Sequence, residues 1–140
     1  MATRKRVTEC TLLYQDHQLT PEDFLHFVEL DGFRDDWEKL GLDDEHDDWA
    51  LQILIMCNPK GAPVIKGTGG LRKLRFAPDR WKTGKRGAVR VCYVYFPDHW
   101  TVLLVAAYGK NEKDDLTQQE RAGLKEYIGQ VERWLAKHNY

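Results

Sequence analysis

The order of hydrophobic and polar positions divides the chain into strand-like and helix-like segments. Residues 23–30 are nearly apolar on both sides of a two-residue period, which is typical of a buried strand. Two stretches with helical spacing follow: 31–42 stops near Gly41, and 43–61 ends at Asn58-Pro59. The apolar stripe of the second predicted helix comprises Trp49, Ile53 and Met56.

Three further strands are predicted in the second half of the chain. The Gly-rich sequence KGTGG, residues 66–70, is interpreted as a turn that leads into the first of them. The strands cover 71–76, 88–96 and 101–109, and Pro97-Asp98 joins the last two as a tight hairpin.

The chain closes with a predicted helix, in which Thr117 and Glu120 have the spacing of a capping box. Its apolar stripe comprises Leu124, Ile128, Val131 and Leu135. The order of elements predicts a small α+β domain, an antiparallel sheet with two N-terminal helices and a C-terminal helix, all on one face. Residues 1–22 show no clear period and are interpreted as an N-terminal arm to a domain spanning 23–140.

Composition indicates the class of protein and its cellular location. The 140 residues are 42% hydrophobic, which is enough for a core. No apolar run approaches the roughly 18 residues that span a membrane, so no membrane association is predicted. Three cysteines without a CxxC pair argue against a disulfide framework and for a reducing, cytoplasmic location.

Charge is strongly segregated although the formal net charge is only -1. Residues 16–48 hold thirteen acids against two bases, and residues 60–90 hold ten bases against one acid. The two halves could neutralise each other within one molecule or in a dimer. The alternative is a polyanion-binding face beside an acidic one.

Three of the four basic residues of the predicted strands fall on one face, and Arg72 falls on the other. Lys73 and Arg75 alternate with apolar residues, and Arg90 has the matching phase on the next strand. If the helices cover the other face, these three cations converge on an open surface that suits a phosphodiester backbone. Trp81 and Tyr93 could stack on bases there. The plainer alternative is that edge-strand charges merely prevent aggregation.

Most common catalytic sets are missing from the chain. There is no serine, and the five histidines show neither HExxH nor zinc spacing. Asp47 and Asp48 fit a helix N-terminus better than a metal site. Cys57 and Cys92 lie among apolar residues and are predicted to be core. No metal or cofactor is therefore predicted.

Three motifs in a fixed order resemble one protein family. GTGGLRKLRF (67–76), GKRGAVRVCYVYF (84–96) and AAYGKNEKDDLTQQERAGLK (106–125) resemble the RelE/HigB-type toxins of bacterial type II toxin–antitoxin systems, most of all the phage-associated HigB-like branch. The resemblance covers roughly residues 24–135. It implies a small microbial-RNase-like α+β fold.

The resemblance also implies a function. Such toxins enter the ribosomal A site and cut mRNA, which inhibits translation. The RNA's own 2′-hydroxyl attacks the adjacent phosphate, without a metal or cofactor, and basic residues position and stabilise the reacting groups. The implied partners are the ribosome, mRNA and a cognate antitoxin of the helix-turn-helix type.

The resemblance carries specific residues over to this chain. Lys73, Arg75, Arg90 and Lys110 match the basic catalytic positions: Arg75 and Arg90 are candidates for gripping the scissile phosphate, and Lys73 for phosphate contact or proton transfer. The candidate RNA contacts are Arg72, Arg80, Trp81, Lys82, Lys85, Arg86, Tyr93 and Lys113.

Two departures from the family pattern leave other readings open. Asn111 stands where some members have an arginine, and Thr117 where some have a tyrosine. One alternative is a ParE-like inhibitor of DNA gyrase, although those toxins lack the basic cluster. The other is a non-catalytic member that only binds RNA or a partner.

Overall fold

In the described part of the chain, seven helices and strands follow the order that the sequence predicts. The computed structural model describes residues 23–42, 44–78, 81, 87–110, 112 and 116–138. The elements are β1 (His26–Glu29), α1 (Phe33–Lys39), α2 (Glu45–Cys57), β2 (Arg72–Phe76), β3 (Val89–Phe96), β4 (Thr101–Tyr108) and α3 (Gln118–Lys137). The α+β prediction is therefore confirmed at this coarser level. The N-terminal arm assigned to residues 1–22 lies outside the described residues.

The four strands form one mixed sheet in the order β1-β4-β3-β2. The pairs β2–β3 and β3–β4 are antiparallel, as predicted. However, β1 runs parallel to β4, with His26 opposite Thr101 and Glu29 opposite Leu104. The prediction of an antiparallel sheet is therefore wrong for β1. Two helices and a whole hairpin separate these partners in sequence, and local periodicity does not encode the direction of so distant a pairing.

The helices cover both faces of the sheet, so the prediction of helices on one face is wrong. On one face, α1 and α2 pack through a buried cluster that includes Phe33, Trp37, Leu51, Ile55, Val91, Tyr93, Val102 and Leu104. On the other, α3 packs through a second cluster comprising Leu71, Cys92, Val94, Phe96, Leu103, Ile128 and Leu135. The physical reason is that β3 and β4 are apolar on both sides, so each side needs a cover.

Two predictions about α2 are also wrong. Trp49 is 41% exposed, although Ile53 and Met56 are buried as expected. The buried face instead includes Asp47 and Leu51, and Trp49 lies about 200° around the helix from each of them. Cys57, at the last position of the helix, is exposed, whereas Cys92 is buried as predicted.

The predicted capping box and Gly-rich turn are present, but the tight hairpin predicted at Pro97-Asp98 is wrong. Thr117 and Glu120 form a reciprocal capping box at the start of α3. The hairpin between β3 and β4 is longer than a two-residue turn, because a 3-10 turn, Pro97–His99, is followed by Trp100 at φ 52°. The KGTGG turn is closed by buried Thr68, whose hydroxyl donates to Ile65 O and accepts from Leu71 N.

Candidate functional site

Arg75 of β2 and Arg90 of β3 lie directly opposite each other in the sheet. Lys73 N donates to Pro63 O at 3.1 Å, on the side away from β3. Backbone groups two residues apart in a strand point the same way, so the N–H and C=O of Arg75 also point away from β3. Arg75 and Arg90 are therefore a non-hydrogen-bonded pair. In such pairs the Cα atoms are about 4.5 Å apart and the side chains come closest. The two guanidinium groups therefore start from neighbouring positions on one face.

No acidic side chain offsets this pair of like charges within the described residues: neither guanidinium is in a salt bridge with a described carboxylate. Arg90 Nη1 donates to the carbonyl of Ala88 at 2.7 Å, which restricts its side chain. Arg75 is exposed. Like charges directly opposite each other destabilise a sheet, so an anion bound between them would relieve a repulsion that the fold itself retains.

The arginine pair opens onto a cleft of about 620 Å³ between the end of α2 and the edge of β2. One side of the cleft is cationic and the other is apolar. The cationic residues are Lys73, Arg75 and Arg90, and the apolar ones include Leu54, Ile55 and Leu74. The sequence prediction that the three cations share a face is confirmed by the strand register. The sequence analysis expected this face to be open. It is the face on which α3 packs, so it is partly covered.

Two residues predicted to contact RNA make structural bonds at this cleft: Tyr93 lines it, and Arg72 holds the backbone of the segment that borders it. Tyr93 is 1% exposed, and its hydroxyl donates to Pro59 O at 2.8 Å. Arg72 Nη1 donates to Lys60 O at 2.9 Å and to Ala62 O at 2.7 Å. These three bonds attach the α2–β2 connection to the sheet. The ring of Tyr93 is thus buried in the core and presents no face on which a base could stack.

Burial raises the pKa of the Tyr93 phenol, and the nearby charge of Arg72 offsets this in part. The phenol therefore stays protonated and keeps its donor role at neutral pH. The hydrogen bond to Pro59 O therefore depends on the protonated phenol.

The remaining predicted site residues divide into two groups. Lys110 is exposed and lies two positions after Tyr108, the β4 neighbour of Arg90. Trp81 is half-buried and packs against the cluster under α1 and α2. The others, Arg80, Lys82, Lys85, Arg86 and Lys113, lie outside the described residues.

The acidic half of the chain contains a network that the sequence analysis missed. Arg34 bonds both Glu29 and Asp48, with Nη1 to Asp48 Oδ1 at 3.1 Å. Buried Trp37 donates its indole N–H to the same carboxylate oxygen at 2.7 Å. Hydrogen bonding to Glu29, followed by the contribution of Asp48, raises the pKa of Arg34. Asp48 therefore connects α2 to α1, and Arg34 extends the network to β1 through Glu29.

Other kinds of site find little support in the described part of the chain. It holds no group of three His, Cys, Asp or Glu side chains placed to bind a metal ion. Nor does any described helix have the length and apolar character needed to cross a membrane. A scan against family models finds none that matches the chain.

Proposed function

We propose that this protein is the toxin of a type II toxin–antitoxin system and cleaves mRNA on the ribosome as an endoribonuclease. The observation that carries the proposal is the Arg75–Arg90 pair, two adjacent cations without a described carboxylate partner, in a cleft that also contains Lys73. The resemblance of the three sequence motifs to RelE/HigB-type toxins supplies the reaction.

In the proposed reaction the 2′-hydroxyl of one nucleotide attacks the adjacent phosphorus. The bond from phosphorus to the 5′-oxygen of the next nucleotide breaks, which leaves a 2′,3′-cyclic phosphate and a 5′-hydroxyl. Negative charge grows on the non-bridging oxygens as the fifth bond forms. Arg75 and Arg90 would donate hydrogen bonds to these oxygens, and removal of one such donor typically lowers a rate about 10²–10³-fold.

Two protons must move in this reaction. One leaves the attacking 2′-hydroxyl, and one reaches the departing 5′-oxygen. Lys73 is the candidate for proton transfer beside the arginine pair, and Lys110, beyond the end of β4, is the candidate for a further phosphate contact.

The hydrogen bonds that Arg72 and Tyr93 make at the border of the cleft support this assignment. A reaction that depends on positioning needs a cleft whose shape is maintained. The hydrogen bonds from these two side chains to the carbonyls of Pro59, Lys60 and Ala62 provide that restraint. Arg72 and Tyr93 would then act through the backbone of the cleft rather than by touching RNA.

The proposal includes partners and a location. The protein would act in the cytoplasm on translating ribosomes. A cognate antitoxin with a helix-turn-helix part would cover the basic face or block entry into the ribosome.

Inducible expression in bacteria, followed by mapping of mRNA 5′ ends, tests the proposal. Wild-type protein should stop growth and produce cuts clustered within translated codons. Arg75→Gln combined with Arg90→Gln should abolish both effects. Arg133→Gln, at an exposed position of α3, is the matched control and should retain them.

Other outcomes of this experiment would overturn the proposal. Growth arrest without mRNA cuts would indicate a different target, such as DNA gyrase. Cuts that persist in the double variant would show that the arginine pair is not the site. Absence of arrest from wild-type protein would favour a member that only binds.

A further inference from the structure

The outer edge of β2 is only half covered by its neighbour in the chain. Residues 63–65 pair with the start of this strand: Ile65 N donates to Leu71 O at 2.8 Å, and Lys73 N donates to Pro63 O at 3.1 Å. The chain then turns away, because Gly61 N donates to Asn58 O at 2.9 Å instead of continuing the ladder.

The next outward-facing backbone groups on this edge are the N–H and C=O of Arg75. Within the ranges that the structure describes, no group bonds with them. An edge of this kind is a template for another extended chain, which can add as a strand through main-chain hydrogen bonds. RNA does not carry N–H and C=O groups at strand spacing, so this feature favours a polypeptide.

The side chains around the edge define which polypeptide fits. Successive residues of an added strand point to opposite faces of the sheet. On one face they would meet the cationic side of the cleft, at Arg75 and Arg90. On the other they would meet the apolar side, at Leu54 and Leu74. Acidic residues alternating with apolar ones complement both.

We propose that the free half of the β2 edge binds an extended protein segment in which acidic and apolar residues alternate, as a fifth strand. About five residues, a usual strand length, would suffice. The docking follows from the edge itself. Its consequence as inhibition rests on the proposed function, because the acidic side chains would occupy the arginine pair and exclude a phosphate.

The test uses the full-length, ¹⁵N-labelled protein and an acetylated, amidated decapeptide of alternating Glu and Val. Two control peptides carry N-methyl groups either on every Glu or on every Val, which blocks opposite edges of the peptide strand at constant charge. The readouts are the peptide affinity and the hydrogen-exchange rate of the Arg75 amide. The Leu74 amide, which faces β3, is the internal reference.

The unmodified peptide should slow exchange at Arg75 by about tenfold or more when bound, because the amide gains a hydrogen bond. One methylated peptide should lose binding and the other should keep it, because only one edge of the peptide can face β2. Binding by both methylated peptides, or by neither, would overturn the proposal, as would binding without protection of Arg75.

A pair of protein variants tests whether the apolar residues of the peptide contact the apolar side of the cleft. Leu54→Gln, at a position 39% exposed, should lower peptide affinity about tenfold while the fold is kept. Trp49→Gln, an equally exposed apolar position of the same helix outside the cleft, should leave affinity unchanged. Equal effects of both variants would contradict the assigned position. No RNA or ribosome is present, so failure here is separate from failure of the nuclease proposal.

Discussion

Arg75 and Arg90 are cross-strand neighbours at the closest spacing that an antiparallel pair offers, and their backbones do not bond to each other. Two cations in this arrangement oppose the pairing of β2 with β3. Sheet positions of this kind are usually filled by opposite charges or by apolar pairs. The pair is therefore better suited to holding an anion than to stabilising the sheet.

Replacing Arg75 with glutamine should not destabilise the fold; Arg90→Gln also loses the hydrogen bond to Ala88 O, so Arg75→Gln is the cleaner test of the repulsion. We expect the free energy of unfolding at low salt to stay the same or to rise by about 0.2–1 kcal/mol, because a repulsion is removed. Stabilisation by added inorganic phosphate should weaken in the same variants. Chemical denaturation with and without phosphate measures both effects.

Arg121→Gln is the contrasting control for that experiment. The guanidinium of Arg121 donates to Leu116 O and Lys66 O, so its loss should lower the free energy of unfolding by about 0.5–1.5 kcal/mol. A destabilisation of similar size in Arg75→Gln would show that Arg75 serves the fold.

Asp48→Ala should destabilise the protein by about 1–3 kcal/mol. The substitution leaves the buried indole N–H of Trp37 without its acceptor and removes one carboxylate partner of Arg34. Urea denaturation measures the change. Glu38→Gln, an exposed carboxylate of α1, should have an effect below about 0.5 kcal/mol. Equal effects of the two substitutions would argue against the Asp48 network.

The pKa of Tyr93 predicts a loss of stability in alkali. An unfolded tyrosine ionises near pH 10, whereas burial raises the pKa in the folded protein. The unfolded state therefore releases this proton first. The contribution of Tyr93 is fully present below about pH 10 and decreases as the pH rises through the folded pKa, by up to about 1.4 kcal/mol per pH unit.

Tyr93→Phe isolates this effect. It should cost about 0.5–1.5 kcal/mol at pH 8, where the bond to Pro59 O is lost. The difference from wild type should shrink or reverse at pH 11, because phenylalanine has no proton to lose. A difference that is constant from pH 8 to pH 11 would contradict the assignment.

Two glycines near α3 should respond to alanine in opposite directions. Gly69 has φ +78°, and a Cβ there would lie 3.0 Å from Lys125 Cγ, so Gly69→Ala should destabilise by about 1 kcal/mol or more. Gly123 lies within α3 with open space around it, so Gly123→Ala should stabilise by about 0.5–1 kcal/mol. Thermal unfolding of both variants measures the two changes in stability. Changes in the same direction would contradict the prediction.

Much of the local structure could be predicted from the sequence because it follows from covalent geometry. A two-residue period puts Lys73, Arg75 and Arg90 on one face whatever the rest of the chain does, and the register confirms it. The capping box of Thr117 and Glu120 is equally local.

Long-range features could not be predicted in this way. The direction of β1 and the packing of α3 on the second face depend on partners far away in sequence. The burial of Tyr93 had a usable signal, since its phase on β3 is that of Val89 and Val91. The bond from Arg34 to Asp48 had none, because the two residues are fourteen positions apart along helix and turn.

The parallel pairing of β1 with β4 bears on how the chain matures during synthesis. Residues 26–29 leave the ribosome early, but their partners, 101–104, follow much later. At about 5–20 residues per second, the first strand waits on the order of 4–15 s for its neighbour. The sheet therefore closes only after residues 101–104 have been made, and the apolar faces of α1 and α2 lack their β4 partners until then.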